Sequence, residues 1–351
     1  MRVLVAIDSF KGSATSAEMN QAVRAGLLDA SPSLEVETVA IADGGEGTLD
    51  ALACALSGEM VQVQATDLLG RPLSVAYLVA QGRAFIESAS LLGIDKITPS
   101  PEIFEKASSA GLADLVLDAL ERNCRQIFVT LGGTGSSDGG RGFLEKLVPY
   151  AEQLRQVEII GLTDVRNPYA GPEGYARIFG PQKGGTPEQI AVEDARAREF
   201  VHKIRAEKQM DLQKLAGSGA AGGLGGAILV LGGKLRPGFL SIVDLIGLEE
   251  KVAHSDLVIT GEGRLDSQSF QGKAPVGLAE LAQVYNRPVI ALCGAVGERE
   301  LALYSDFLAV FSIQTKAQSL ENAMKESETL KNARFVAGNV WQLFSKSSTG
   351  I

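Results

Sequence analysis

The chain has 351 residues, enough for about two domains at roughly 150 residues each, and 33 Lys plus Arg against 42 Asp plus Glu give it a net charge of −9. Neither sign collects into a long run, so the basic footprint of a nucleic-acid partner is missing, and no stretch approaches the ~18 apolar residues of a membrane span. Glycine, at 40 residues, exceeds its usual share of ~7%, and these glycines cluster with Asp, Glu, Ser and Thr, which suits backbone-lined anion sites.

The first strand, Val3 to Ile7, runs into Asp8-Ser9-Phe10-Lys11-Gly12-Ser13, with neither the apolar centre nor the cleavage site of a secretory signal. Thr15 to Glu18 then reads as a capping box opening a helix to about Ala30. Val36 to Ile41 is a second strand, leading into Ala42 to Thr48 and a helix around Leu49 to Leu56. Alternation at Val61, Val63 and Ala65, the Gly70-Arg71-Pro72 turn, and the runs Leu73 to Ala80 and Arg83 to Glu87 predict an antiparallel meander. A helix over Ile103 to Asn123, the strand Gln126 to Leu131, a loop from Gly132 to Gly140 and a helix near Phe143 to Leu147 follow. Ile159 to Leu162 leads into Thr163-Asp164-Val165-Arg166-Asn167-Pro168. Thr186, Pro187 and Gln189 cap a long charged helix to about Gln209, with a structural role. Strands at Leu257 to Thr260, Pro288 to Cys293 and Leu308 to Ile313, separated by helices, carry the rhythm of parallel βαβ units.

The expected fold is therefore α/β with two α/β domains. Residues 1–60 and 255–351 form a discontinuous domain with a mostly parallel sheet from both chain ends, and residues 61–254 are inserted, holding the meander and glycine-rich loops. Cys54, Cys124 and Cys293 read as buried free thiols of a reducing compartment, placing the protein in the cytoplasm. Neither His202 nor His254 sits among glycines or acids resembling a site, which argues against a His-based triad or a zinc cage.

The chemistry gathers in loops after strands. Lys11, with Ser9, lies where phosphate charge is met in open α/β folds. Asp43 and Glu46, in the turn with Gly44 and Gly45, suit Mg²⁺ binding or the positioning of a hydroxyl nucleophile. Gly132 to Gly140 offers Thr134, Ser137 and Asp138 beside several backbone amides. Asp164 is another strand-end acid and a second candidate ligand, with Asp43, for Mg²⁺. Glu262, Arg264, Asp266 and Lys273 follow the Leu257 to Thr260 strand. Arg264 or Lys273 can hold a substrate carboxylate or serve as a salt-bridge partner within the loop.

Gly217-Ser218-Gly219-Ala220-Ala221-Gly222 matches G-x-G-x-x-G, but the residues before it do not read as a strand, so the dinucleotide reading fails its context. It remains as a loop entering a helix over Ala220 to Leu231, with an exposed positive end for phosphate, or else as close packing by small residues. Gly272-Lys273 is followed by Ala274 with no upstream glycine in register, so this is not a P-loop. Acids, lysine and amide-rich loops without histidine point to phosphoryl transfer, where catalysis is mostly positioning and charge neutralisation.

In order along the chain, IDSFKGS (7–13), ADGGEGT (42–48), DLLGRP (67–72), LTDVRNPYAGPEGYARIFGPQKGG (162–185), GSGAAGGLGGA (217–227) and DLVITGEGRLDSQSFQGKAPVG (256–277) resemble the bacterial class I glycerate kinase family. The resemblance covers nearly the whole chain. It implies ATP-dependent phosphorylation of D-glycerate with Mg²⁺, most often at the 2-hydroxyl to give 2-phosphoglycerate, in glyoxylate or sugar-acid catabolism. It also implies an active site in a cleft between a discontinuous and an inserted domain. In this reading Lys11 and the loops at Gly132 and Gly217 face phosphates, and Asp43, Glu46 and Asp164 bind metal or position the hydroxyl. The loop GGTGSSDGG departs from the family's GGSATNDGG: Gly135, Ser136 and Ser137 replace Ala, Thr and Asn, while Asp138 is kept. IESASLLGI (86–94) departs from a more alanine-rich segment and keeps Glu87. The alternatives are a 3-phosphoglycerate-forming enzyme, a kinase of another small hydroxy acid, a dinucleotide-using oxidoreductase, and a non-catalytic sugar-acid or nucleotide sensor. Partners are limited to the small-molecule substrate, with a monomer or a homodimer as the assembly.

Overall fold

Two helices begin where their first residues dictate. Thr15 and Glu18 close a reciprocal cap ahead of Ser16–Ala30, and Thr186 and Gln189 do the same ahead of Pro187–Lys208, each pair satisfying two amides that a helix start would leave bare. The computed structural model describes residues 1–42, 44–45, 47–267, 269–271, 273–297 and 304–348. Among them no helix is long and apolar enough to cross a membrane.

The strands in chain order are β1 (Arg2–Val5), β2 (Glu35–Thr38), β3 (Glu59–Thr66), β4 (Pro72–Ala80), β5 (Arg83–Glu87), β6 (Gln126–Thr130) and β7 (Glu158–Leu162). They continue with β8 (Lys234–Arg236), β9 (Leu257–Thr260), β10 (Arg264–Leu265), β11 (Val289–Cys293), β12 (Ala295–Val296) and β13 (Ala309–Ser312). The chain divides into one unit of Met1–Asp43, Asp50–Ala55 and Phe239–Ile351 and another of Gly44–Leu49 and Leu56–Gly238.

In the first unit a five-stranded sheet runs in the order β13-β11-β9-β1-β2, and every pairing is parallel. Val3, Val5 and Ile7 bury against Met19, Val23 and Leu27 of the Ser16–Ala30 helix and against Ala333, Ala337 and Trp341 of the Glu326–Ser348 helix. From β1 the chain moves outward to β2, and from β9 outward the other way to β11 and β13. β1 and β9 thus flank the topological switch, the place where loops diverge and leave a crevice in open parallel sheets. A small parallel pair, β10 with β12, lies beyond it.

In the second unit the order is β3-β4-β5-β6-β7-β8. β3, β4 and β5 form the expected antiparallel meander, and β5 to β8 are parallel. Glu87, Thr130, Leu162 and Arg236 stand in register across those four strands. The loops that follow them therefore leave from one edge of the sheet.

Several expectations change. The single helix over Ile103 to Asn123 is two, Pro101–Lys106 and Leu112–Glu121, because the Ser108 N–H bonds Leu68 O at 2.8 Å and Gly111 lies against the Thr66 carbonyl. The second strand stops at Thr38 rather than Ile41, since the amides of Val39 and Ile41 turn to Val5 O and to the Ser16 hydroxyl. Cys54 is exposed, whereas Cys124 and Cys293 are buried; burial pushes the Cys293 thiol up to about 12. Residues 239–254, assigned to the insertion from sequence, pack in the first unit, where the Phe239 ring fills the space over Gly277.

Candidate active site

In the first unit, local hydrogen bonds hold the loop after β1. Asn20 accepts the Ile7 N–H at 2.9 Å and donates to Val39 O at 2.8 Å, so one buried side chain ties the ends of β1 and β2. The Asp8 N–H bonds Gly261 O at 2.9 Å, joining this loop to the one after β9, and the Ser9 N–H bonds Asp8 Oδ1 at 2.7 Å. Phe10 and Ala14 exchange backbone hydrogen bonds, leaving Lys11 exposed at the turn. Lys11 has no ion-pair partner among the described residues. A side chain on Gly263 would stand 3.6 Å from Phe10 Cα and 3.8 Å from the Lys11 nitrogen, so the two loops lie face to face.

Glu262 is 5% exposed and faces Lys273 at 3.5 Å. Arg264 pairs with Asp266 at 3.0 Å. Both cations proposed for a substrate carboxylate are thus also held by acids of their own loop. Gly261 is fixed by contact: a Cβ there would fall 1.8 Å from Leu292 O, a carbonyl of β11. Gly261→Ala is expected to lower unfolding free energy by about 2–3 kcal/mol, the cost of forcing a methyl into filled space; an unchanged urea midpoint would show that β11 can yield.

In the second unit, the aligned strand ends gather the other candidates. The Gly44–Gly45 turn sits against Gly132, whose Cβ would lie 2.8 Å from Gly45 Cα, and Glu87 accepts the Leu49 N–H at 3.1 Å. Asp164 accepts the Gly238 N–H at 2.9 Å, linking the loops after β7 and β8. Asp43 and Glu46 lie outside the described residues.

Thr134 and Ser137 are buried, 5% and 3% exposed. The hydroxyls of Ser88, Thr130, Ser136 and Ser137 are buried without a hydrogen-bond partner, and buried donors of this kind are ordinarily satisfied. Asp138, expected at the ligand, is hydrogen-bonded to the loop around it. Its Oδ2 accepts the Ser109 N–H and hydroxyl, both at 2.9 Å, and the Gly142 N–H at 3.2 Å, while Oδ1 accepts the Gly140 N–H at 3.1 Å. These four bonds make the carboxylate a brace of the loop.

The Gly217 loop turns several of its amides and a hydroxyl inward. The Ser218, Gly219 and Ala220 amides bond Leu215, Asn167 and Gly217 carbonyls at 2.9–3.1 Å, and the Ser218 hydroxyl donates to Leu212 O. The following α-helix starts at Leu224, not Ala220, because Ala221 and Gly222 are left-handed. Gly222 needs that backbone and the absence of a side chain, since a Cβ would fall 2.2 Å from Ser136 O. Of the two sequence readings, these contacts support close packing by small residues: Gly222 lies against Ser136 and Gly223 against Gly139 of the Gly132–Gly140 loop.

Two groups were given no role from the sequence, although the turn-rich stretch 180–185 holding Lys183 stood with Asp164 as a weak candidate segment. Lys183 is 2% exposed, and its ammonium donates to Ser136 O at 2.5 Å; burial lowers it to about 8. Arg141 makes a two-pronged pair with Glu193 at 2.8 and 3.0 Å, and Glu193 also takes the Tyr175 hydroxyl at 2.6 Å. Tyr169 bonds Gly139 O at 2.6 Å. The long helix thus anchors the far end of the same loop. A lysine between a tight turn and two glycines was the only available signal for Lys183.

Buried hydroxyls and an ammonium are donors suited to phosphate or carboxylate oxygens, and the Asp164 carboxylate suits a hard cation such as Mg²⁺. Among the described residues no group of three His, Cys, Asp or Glu is placed to hold a metal, which is compatible with Mg²⁺, since this ion commonly takes only one or two carboxylates beside phosphate oxygens and water.

Comparison with known proteins gives a consistent result. The model of the glycerate kinase family matches residues 3–150 and 146–345. A glycerate kinase of Bacillus cereus is 33% identical, with 99% of each chain covered. A glycerate 2-kinase of Escherichia coli is 32% identical, with 93% of each covered. The crystal structure of a putative glycerate kinase 2 from Salmonella typhimurium superposes with a TM-score of 0.85 at 33% identity, covering 99% of both chains.

Proposed function

We propose that this chain, which belongs to the glycerate kinase family, transfers the γ-phosphoryl group of ATP to the 2-hydroxyl of D-glycerate, yielding 2-phosphoglycerate in the breakdown of glyoxylate-derived or sugar-acid compounds. The observation that carries the reading is the end-to-end match to relatives that include a glycerate 2-kinase. The loop chemistry is compatible with it. Lys11 supplies a cation at the switch point of the first sheet, and Thr134 and Ser137 supply donors at the edge of the second.

Asp164 would hold Mg²⁺, an ion that would supply charge neutralisation at the phosphate oxygens; Asp43, the other candidate ligand from the sequence, lies outside the described residues. The protein's part is to orient the hydroxyl and neutralise charge, with Glu262 as a further acid after β9 and Glu46 as a candidate from the sequence alone. Phosphorus NMR of the protein mixed with D-glycerate, ATP and Mg²⁺ tests both reaction and position. A 2-phosphoglycerate resonance is expected. A 3-phosphoglycerate resonance would keep the kinase and overturn the 2-hydroxyl assignment, and intact ATP would overturn turnover of D-glycerate.

A further inference from the structure

Lys183 is a buried cation whose place in the reaction the family reading leaves open. It ends the short Pro181–Lys183 turn and is followed by Gly184, left-handed at φ +91, where a Cβ would fall 2.3 Å from the Ser100 nitrogen. Gly185 packs against the Phe104 ring. These contacts fix the lysine's backbone, and its side chain ends on Ser136 O. An ammonium has three protons to donate; among the described residues this one bond is the one Lys183 makes.

The charged groups around it are committed elsewhere. Asp138, the acid that acts on Lys183 through space, is occupied by Ser109, Gly140 and Gly142. On the neighbouring helices Arg141 pairs with Glu193, Arg177 with Asp194, and Lys106 with Glu102. The Tyr175 hydroxyl also goes to Glu193. Keeping a lysine here costs stability: the unfolded chain holds the proton up to about 10.5, the folded chain only to about 8, so stability rises with pH between those values and the penalty is complete below 8.

What the lysine touches is the Gly132–Gly140 loop. Ser136 O and the Ser137 N–H belong to one trans peptide and point to opposite sides. A charge-assisted bond on the oxygen fixes and polarises that peptide. Ser136 and Ser137 also carry two of the unpartnered buried hydroxyls. We propose that Lys183 is a positioning residue of this kinase: its ammonium holds the Ser136–Ser137 peptide so that its N–H and the two serine hydroxyls meet an anionic group of a bound ligand, a carboxylate or a phosphate. The inference rests on the kinase reading above, and the anion belongs either to D-glycerate or to the nucleotide.

Calorimetric titration near pH 8, in two buffers of different ionisation enthalpy, tests it on the intact protein. One arm uses D-glycerate and the other the Mg²⁺ complex of a non-hydrolysable ATP analogue. An anion near a half-protonated lysine favours the ammonium, so the ligand seated on this loop should bind with uptake of about half a proton. The arm that shows uptake identifies the source. Lys183→Met should abolish the uptake and raise KM for that ligand about tenfold or more with a smaller change in kcat. Lys183→Arg should restore the affinity without proton exchange. Proton-neutral binding of both ligands to the wild-type protein would overturn the inference without any variant having to fold, and so would uptake that persists in Lys183→Met. Absence of both binding and turnover would instead fell the kinase reading, and this inference with it.

Discussion

Asp138→Ala is expected to lower the unfolding free energy by about 4–6 kcal/mol, counting roughly 1–1.5 kcal/mol, the low end for a donor left without an acceptor, for each of four part-buried donors. The donors are the backbone N–H groups of Ser109, Gly140 and Gly142, with the Ser109 hydroxyl as a fourth. The side chain joins the loop after β6 to the start of the Leu112–Glu121 helix and to the first turn of the Arg141–Leu147 helix. Its loss therefore frees two helix ends as well as a loop. Ser109 hands the effect onward, since its hydroxyl also accepts the Phe143 N–H at 3.1 Å. Urea denaturation monitored by far-UV circular dichroism measures the loss. Asp138→Asn keeps one good acceptor and should recover a part of it. If Asp138→Ala unfolds at the wild-type midpoint while turnover collapses, the carboxylate acts on ligand and the structural assignment made here is wrong.

That prediction turns on a residue whose place was legible in the sequence and whose role was not. A glycine-rich loop after an apolar strand marked Gly132 to Gly140 as a site, because period, turn residues and strand length are local properties. Two of the four bonds to Asp138 come from Ser109, 29 residues upstream, where a serine before a helix carries no sign of what it will meet. Glycine patterns were ambiguous for the same reason. Gly217 to Gly223 look alike whether their amides face phosphate or the backs of other loops, and only the 2.2 Å approach of Ser136 O to a Cβ at Gly222 decides it. Helix caps were the most readable features, as at Thr15 and Thr186, since both halves of each cap lie within one turn. The break between the Pro101–Lys106 and Leu112–Glu121 helices was hidden, because it depends on Leu68 and Thr66 from the β3–β4 region. Lys183 was hidden because a buried lysine and an exposed one are written with the same letter.

Asp164 offers the cleanest separation of charge from architecture. Its Oδ1 accepts the Gly238 N–H at 2.9 Å, and an asparagine there presents an oxygen to the same amide while removing the negative charge. Asp164→Asn should therefore melt within about 2 °C of the wild type, since a neutral swap that keeps its bond changes stability little. Its kcat should fall by about 10²–10³, the scale at which losing one preorganised electrostatic contact is felt. Asp164→Ala removes the acceptor too, and should show the same catalytic loss together with a lower melting temperature. The Mg²⁺ dependence then divides the two roles open to the carboxylate. A metal ligand, once neutralised, should leave an enzyme whose rate recovers in part as Mg²⁺ is raised, because a weakened site can be filled by mass action. A group that orients the acceptor hydroxyl should leave the Mg²⁺ requirement unchanged and a kcat deficit that no concentration of the ion repairs. Wild-type turnover in Asp164→Asn would reduce Asp164 to a brace between the loops after β7 and β8, and the search for the acid that serves the hydroxyl would move to Asp43 and Glu46.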